Sequence, residues 1–164
     1  MFKASKSSGS GSEAGDTLTT GDDNIAIGYR ALSTEDTGSD NVAIGNNALK
    51  DLNYDGGGNN VAIGYNAAHN TTTGLYNIAI GNNTLATNTD TGYNVAIGHS
   101  ALYSGDIGYN VAVGYKAGYA VTSGTSNFFL GYNAGYDTTT SSDNVFIGKE
   151  AGRYKGTGAG GSGR

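Results

Sequence analysis

The sequence predicts an all-β protein whose chain winds into a parallel β-roll, a solenoid of about eight coils of 16–19 residues each. A segment of one asparagine, three apolar residues and one glycine recurs eight times at that spacing. Within most copies, large and small apolar residues alternate, which is the period-two pattern of a β-strand. Such a short period indicates that each repeat is one structural coil and not a small domain.

The composition excludes several other classes of protein. Gly, Asn, Thr and Ser make up nearly half of the 164 residues and apolar residues only 37%, a balance that usually indicates disorder. A disordered chain has no reason to repeat Ile and Val in register. The absence of cysteine excludes disulfides and cysteine chemistry. No apolar run is long enough for a membrane span, and the first 15 residues lack the apolar core of a signal peptide.

Each coil is predicted to begin with a strand and to turn at the glycine that follows. In the first copy, Ile25 and Ile27 are expected to face one way and Ala26 the other. Gly28 supplies a bend that requires positive φ or a missing Cβ. A second short strand, such as "YRAL", is expected next, and a polar loop of Thr, Asp, Ser and Gly then leads to the following asparagine.

A single roll of this kind is predicted to be only marginally stable. Each coil buries about three sizeable side chains, worth about 5–9 kcal/mol in total. Ordering the backbone costs about 1–2 kcal/mol for each of its residues. A flat surface of alanine allows another copy to approach closely, so we expect rotationally symmetric oligomers.

Two positions of the repeat exchange volume in a way that predicts shared packing space. Where the second half of a coil carries leucine, its strand carries alanine; in the last three coils the leucine becomes glycine, and in the last two the alanine becomes phenylalanine. We expect these side chains to fill the space between subunits. The predicted packing residues are Ala26, Leu32, Ala43, Leu49, Ala79, Leu85, Ala96, Leu102, Phe129 and Phe146.

Two segments carry a resemblance to known proteins: "TGSDNVAIGNNAL" at 37–49 and "SDNVFIGKEAGRYKGTG" at 142–158. These repeats resemble phage tail-fibre proteins and the heads of trimeric autotransporter (YadA-like) adhesins. The resemblance covers about residues 16–158. It implies a left-handed β-roll, a homotrimer around a common axis, and a fibre that projects from a virion and binds host surface glycans. The triple β-spiral, another trimeric fibre architecture, is less favoured because the chain has no proline.

The domain boundaries follow from composition. We predict a flexible N-terminal attachment segment at 1–15 that joins another virion or fibre protein, the roll at 16–155, and a flexible Gly-rich tail at 156–164. Residues 13–148 hold thirteen acidic and three basic residues, which disfavours nucleic acid as a partner. The alternative function is an extracellular filament of stacked copies, or a bacterial surface adhesin. In the filament, the basic C-terminal end would meet Asp16, Asp22 and Asp23.

Tyrosines are the candidate glycan-binding residues. One row directly precedes three consecutive repeat asparagines, and a second row follows the repeat glycine. Aromatic rings beside amide and hydroxyl groups suit sugar recognition. The competing interpretation is that neighbouring rings pack only on each other. The candidates are Tyr29, Tyr65, Tyr76, Tyr93, Tyr109, Tyr115 and Tyr132.

The sequence offers only weak candidates for metal binding or catalysis. Asp51, Asn53 and Asp55 match the first half of a calcium loop, but Ala62 stands where the loop needs its glutamate. A solvated turn is the competing interpretation. His69 and His99 are the only histidines, and His99 is expected to be one exposed rung of a ladder. No nucleophile lies in a recognisable triad context, so we expect no enzymatic activity and no cofactor.

Overall fold

The computed structural model describes residues 8–34 and 37–153, and its regular elements are nine short parallel β-strands. No helix long and apolar enough to cross a membrane occurs in this part of the chain. The strands are β1 (Ser8–Ser10), β2 (Ile25–Ile27), β3 (Val42–Ile44), β4 (Val61–Ile63), β5 (Ile78–Ile80), β6 (Val95–Ile97), β7 (Val111–Val113), β8 (Phe128–Leu130) and β9 (Val145–Ile147).

The strands form one sheet in chain order, and each pairs in parallel with the next. The register places equivalent residues side by side, so that Ala26 lies beside Ala43 and Ile27 beside Ile44. After each strand the chain returns and adds the next strand beside it. The nine strands therefore delimit eight turns of a solenoid. The predicted all-β solenoid is therefore confirmed. Its handedness and its trimeric state stay predictions.

The second strand that we predicted in each coil is absent, because alternate residues after the glycine have positive φ. In the first full coil these are Arg30 (φ 53°) and Leu32 (φ 51°), and their equivalents repeat these angles along the solenoid. A residue in the left-handed region cannot continue a strand. Regular hydrogen bonds still join this segment to its neighbours, as from the Asn47 amide to the Tyr29 carbonyl at 2.9 Å.

The interior is filled by the small side chains of the strands and the leucines of the turns. All ten residues that we expected between subunits are buried within one chain instead. That prediction was wrong, because a coil of this length encloses a space narrow enough for alanine and leucine from the same chain to fill it. The residues that belong to the interior of one chain, and not to an interface, are Ala26, Leu32, Ala43, Leu49, Ala79, Leu85, Ala96, Leu102, Phe129 and Phe146.

The volume exchange is present in the structure, but it operates inside the solenoid. A Cβ on Gly135 would collide with the ring of Phe129, and one on Gly152 with the ring of Phe146. Gly118 differs from the other two, because the strand of its own coil carries Ala112 and not phenylalanine, and it makes room for the coils before and after it. A Cβ there would lie 2.8 Å from both Leu102 and Phe129.

Each repeat asparagine is a rung of a continuous hydrogen-bonded ladder. The side-chain oxygen of Asn77 accepts the backbone N–H of Asn94 at 3.1 Å, and that of Asn94 accepts the backbone N–H of Asn110 at 3.0 Å. The Asn94 amide group also donates to the Ile107 carbonyl at 2.6 Å, which ties the strand to its loop. These buried amides satisfy backbone groups that would otherwise lack partners, so they determine where each coil begins.

The N-terminal end of the solenoid begins earlier than predicted. Residues 8–15, which we assigned to the flexible attachment segment, form a further coil paired with β2. Their sequence conceals this because Ser8 and Ser10 replace the large apolar residues of the other strands. Gly11, Glu13 and Gly15 nevertheless have the positive φ of the repeat. The rest of the predicted attachment segment and the predicted tail at 156–164 lie outside the described residues.

Candidate interaction surface

The side of the sheet that points away from the interior is a continuous apolar surface, here called the outer apolar face. Strand alternation turns the first and third residues of β2–β9 outward, while the middle residue is buried. The face consists of Ile25, Ile27, Val42, Ile44, Val61, Ile63, Ile78, Ile80, Val95, Ile97, Val111, Val113, Phe128, Leu130, Val145 and Ile147.

Nothing in the described chain covers this face. Its side chains are half-buried or exposed, and the exposed fraction reaches 62% at Ile147 in the last strand. Eight strands spaced about 4.8 Å apart extend over about 35 Å. A soluble monomer seldom exposes an apolar patch of this continuity, whereas protein interfaces commonly do. The outer apolar face is therefore the main candidate interaction surface.

Tyrosines flank the outer apolar face on the side where the strands begin. Tyr76, Tyr93 and Tyr109, the first tyrosine ladder, stack with ring centroids 5.1 Å apart at both steps. All three have φ between 57° and 63°, a left-handed conformation that is costly for a bulky residue. Other coils place Asp, Asn or Ser at the same position, which tolerate that conformation better. Strain of this kind is typical of functional positions.

A second ladder flanks the face on the side where the strands end. His99, Tyr115 and Tyr132 stack with centroids 5.4 and 5.2 Å apart. Tyr29 and Tyr65 belong to the same row but are separated by Asn46 and Asn82, so they are not part of a stack. Lys149 places its ammonium group 5.9 Å from the Tyr132 ring centroid.

A third ladder was missed at the sequence level. Tyr103, Tyr119 and Tyr136 follow the second positive-φ position of their coils and stack at 5.1 and 5.0 Å. The Lys116 ammonium lies 5.1 Å from the Tyr119 ring centroid, and the Arg153 guanidinium lies 5.7 Å from that of Tyr136. Their regular sequence spacing was the available signal, but the repeat alignment was centred on the strand.

The stacking limits how these ladders can bind a sugar. An inner ring such as Tyr93 has a neighbouring ring against each face, so it offers solvent mainly its edge and hydroxyl group. The first tyrosine ladder ends where the next coil carries Ser126 in place of a fourth tyrosine. Tyr76 and Tyr109 are the two end rings, each with one face that no third ring covers, and Tyr109 is the more exposed, at 62% against 47%.

The candidate metal ligands have other partners in this structure. Asp51 forms an ion pair with Lys50 at 3.0 Å, and Asp55 accepts a hydrogen bond from the Thr37 hydroxyl. Asn53 is exposed and donates its backbone N–H to Thr72. Among residues 8–34 and 37–153, no three His, Asp or Glu side chains converge in a way that could hold a metal ion.

The two histidines are part of the local packing. The ring nitrogen Nδ1 of His69 lies 3.3 Å from the Asn66 carbonyl oxygen. His99 is an exposed rung, as the sequence predicted, and its Nδ1 lies 2.9 Å from the Ser100 hydroxyl oxygen.

One carboxylate organises a loop. Burial tends to raise the pKa of Asp106, but hydrogen bonds from Asp90, Thr89 and Thr91 outweigh burial and hold the pKa well below its usual value. The Asp106 carboxylate accepts the backbone N–H of Thr89 at 3.1 Å and that of Thr91 at 3.2 Å. It joins two successive coils, and we assign it a structural role.

Comparison with known proteins adds no identity: no family model, no curated protein and no solved structure matches this chain.

Proposed function

We propose that the protein is a structural fibre module that assembles as a homotrimer through its outer apolar face. The main observation in support of this proposal is the uncovered row of Ile, Val, Leu and Phe side chains along one side of an otherwise well-packed solenoid. This assignment replaces the alanine and leucine contacts expected from the sequence. Three copies around one axis would bury their three outer apolar faces against each other. In such a closed rotational symmetry no copy keeps an uncovered face.

The energetics support this arrangement. Burial of a wholly exposed apolar side chain contributes about 1.5–3 kcal/mol. Because the residues of this face are already partly buried, each that becomes fully buried adds about 1 kcal/mol to the stability of the trimer. Two such residues on each of eight strands supply enough to stabilise a thin roll. The ends of the strands, where the tyrosine ladders lie, would form the rim of the interface and stay accessible.

The resemblance to phage fibres and trimeric adhesins implies a left-handed roll. In a trimer of such rolls, the outer apolar faces of the three copies would wind around the common axis. We assign the protein to a virion fibre of the tail or head, located on the virion or outside the cell. Its task is to project from the particle and to bind host surface glycans. Three identical sites on one rod increase avidity even where each single site is weak.

We place the glycan site at the Tyr109 end of the first tyrosine ladder. The open ring face of Tyr109 offers a stacking platform. Ser126 and Ser142 follow it at the surface, and Thr125 donates its backbone N–H to the Ser142 hydroxyl at 2.9 Å. Hydroxyl groups beside an open aromatic face are suited to sugar recognition.

Light scattering coupled to size-exclusion chromatography tests the trimer. The expected mass is about three times the 16.6 kDa of one chain at low and at high salt. Ile63→Asp, at the centre of the outer apolar face, should produce monomers. The matched control, Thr72→Asp, lies on an exposed loop and should leave the mass unchanged. A wild-type monomer at all concentrations would refute the trimer.

A glycan array followed by titration of any bound sugar tests the second part of the proposal. Tyr109→Ala should weaken binding about tenfold, which corresponds to about 1.4 kcal/mol. Tyr103→Ala in the third ladder is the matched control and should have little effect. Absence of glycan binding by the trimer, or equal losses in the two variants, would refute the assignment of this site.

The stacked filament stays the alternative function. Polymers that dissolve as the salt concentration rises would favour it over the discrete trimer.

A further inference from the structure

We propose that the surface between the second and third ladders, at the coils of β7 and β8, binds an acidic saccharide through Lys116 and Asn133. The inference rests on the proposed function in taking the ligand to be a glycan, and it names the chemical class of that glycan. The site lies on the side of the sheet where the strands end, whereas Tyr109 and the first tyrosine ladder lie where the strands begin.

Lys116 is placed between the two ladders. Its ammonium nitrogen lies 5.4 Å from the ring centroid of Tyr115 in the second ladder, and 5.1 and 5.7 Å from those of Tyr119 and Tyr136 in the third. Tyr115 and Tyr119 each have a ring stacked on both faces, so the ammonium lies beside the two stacks. The cation is therefore held, half-buried, between two rows of aromatic side chains.

This ammonium has no carboxylate partner among residues 8–34 and 37–153. Other cations of the chain do pair with an acid: Lys50 lies 3.0 Å from Asp51. Arg153 lies 2.7 Å from Glu150, the acid nearest to Lys116 in the order of the coils. An ammonium that is fixed in place without a carboxylate is suited to bind an anion, because hydrogen bonds between ionised groups are the strong ones.

Asn133, which follows Lys116 in the same row of the next coil, has a buried oxygen without a hydrogen bond. Its side chain is only 6% exposed, and its Oδ1 atom has no partner. In earlier coils Asn47 donates its side-chain amide to Oδ1 of Asn66 at 3.0 Å, and Asn66 donates to Asn83 at 3.4 Å. By this pattern the donor to Asn133 is Lys116, whose ammonium lies beside the rings instead. A buried acceptor without a partner is rare and requires an explanation.

The two features together fit a ligand that carries an anionic group and a hydroxyl group close to each other. The Lys116 ammonium donates to a carboxylate, and Oδ1 of Asn133 accepts from an O–H group. A uronic acid has both groups on one ring. Lys116 reaches towards Tyr136, which lies on the coil of Asn133. A carboxylate that draws the ammonium outward therefore uncovers Oδ1 for a sugar hydroxyl, and the tyrosines on both sides supply further contacts.

The charge of these coils also favours an anion here over the rest of the solenoid. Residues 13–110 hold eleven acidic and two basic residues, whereas residues 111–153 hold three of each. The strong negative field of the earlier coils repels an acidic saccharide, and that repulsion is least where the charges balance. The acidic residues of this balanced part are Asp137, Asp143 and Glu150.

The test is calorimetric titration of the full chain with hexagalacturonate and with hexamannuronate, which carry one carboxylate on every ring. Their methyl esters, with the same rings and no charge, are the matched ligand controls, and inorganic phosphate is the control for a simple anion site. At least one uronate should bind at least about tenfold more tightly than its ester and than phosphate, and salt should weaken it. Absence of uronate binding, or equal binding of the ester or of phosphate, would overturn the proposal.

Lys116→Met keeps an unbranched side chain between the ladders and removes the charge, so uronate binding should weaken at least about tenfold. Lys50→Met is the matched control, since it removes an ammonium that is already paired, and it should leave binding unchanged. Tyr109→Ala separates this site from the first tyrosine ladder and should also leave uronate binding unchanged. Loss in Tyr109→Ala without loss in Lys116→Met would overturn this proposal and leave the Tyr109 site standing.

Asn133→Ala distinguishes a ligand-binding role from a structural one. It should weaken uronate binding at least about fivefold without lowering the free energy of unfolding, because Oδ1 loses no hydrogen bond in the free protein. Asn66→Ala is the matched control in the same row: it removes two hydrogen bonds, so it should lower stability and leave binding unchanged. A loss of stability in Asn133→Ala as large as that in Asn66→Ala, or unchanged binding, would overturn the role of Asn133.

Discussion

The two faces of each strand are both apolar, yet they have opposite fates. On β8, the Phe129 ring is fully buried in the interior, whereas its neighbour Phe128 is 36% exposed on the outer apolar face. The interior is complete within one chain, with alanine, leucine and phenylalanine exchanging volume from coil to coil. The outer apolar face has no partner in residues 8–34 and 37–153. The difference teaches that folding uses only the middle residue of each strand, while the first and third residues are left for the assembly that we propose.

The strongest test of this division between the two faces is to truncate the two adjacent phenylalanines in separate variants. Phe129→Ala should lower the free energy of unfolding by about 3–5 kcal/mol, because it leaves a cavity between Gly118 and Gly135. Phe128→Ala should change the stability of the monomer little and instead weaken assembly. Urea denaturation at several protein concentrations separates the two effects. Equal, concentration-independent losses would contradict the division between faces.

The asparagine ladder gives the next largest expected effect. Asn94→Ala leaves the buried N–H of Asn110 and the Ile107 carbonyl without their partners, so unfolding should become easier by about 2–4 kcal/mol. Asn82→Ala, at an exposed position, is the control and should cost little. Thermal unfolding of the two variants provides the measurement. A loss at Asn82 as large as that at Asn94 would show that the ladder has no special role.

A smaller effect is expected where glycine makes room for an aromatic ring. Gly135→Ala should destabilise the fold by about 1–3 kcal/mol, because φ is 63° there and the new methyl group collides with Phe129. In the double variant Gly135→Ala with Phe129→Leu, the smaller side chain should recover part of that loss. Denaturant unfolding of the single and double variants tests this coupling, and strictly additive losses would refute the shared volume.

The smallest effect concerns Asp106 and its dependence on pH. Because the pKa of Asp106 is lower in the folded than in the unfolded state, its contribution to stability is present above the unfolded value and is lost as the pH falls through the folded value. Asp106→Asn should therefore reduce stability modestly at neutral pH and flatten its decline in acid. Thermal melts between neutral and acidic pH measure this slope. An unchanged slope would show that Asp106 does not contribute to the pH dependence of stability.

Several elements could be predicted from the sequence because they depend on local spacing. The position of every strand from β2 to β9 followed from the repeat, and so did the exchange between Phe129 and Gly135. The coil at 8–15 could not be recognised, because Ser8 and Ser10 carry none of the apolar signal and its hydrogen bonds come from the backbone. The third tyrosine ladder was missed for another reason: the regular spacing of Tyr103, Tyr119 and Tyr136 is present in the sequence, but the repeat alignment was centred on the strand and not on the turn in which they lie.

The sequence by itself determined the coil: its length, its strand and the in-register stacking that makes the chain a solenoid. Only the tertiary structure decided which side of the strand is inside. Alternation separates Ala26 from Ile25 and Ile27 but is symmetric between the two faces, so it cannot assign either one to the core. The narrow interior breaks that symmetry, because a coil of about 17 residues closes around alanine and leaves its larger aliphatic side chains outside.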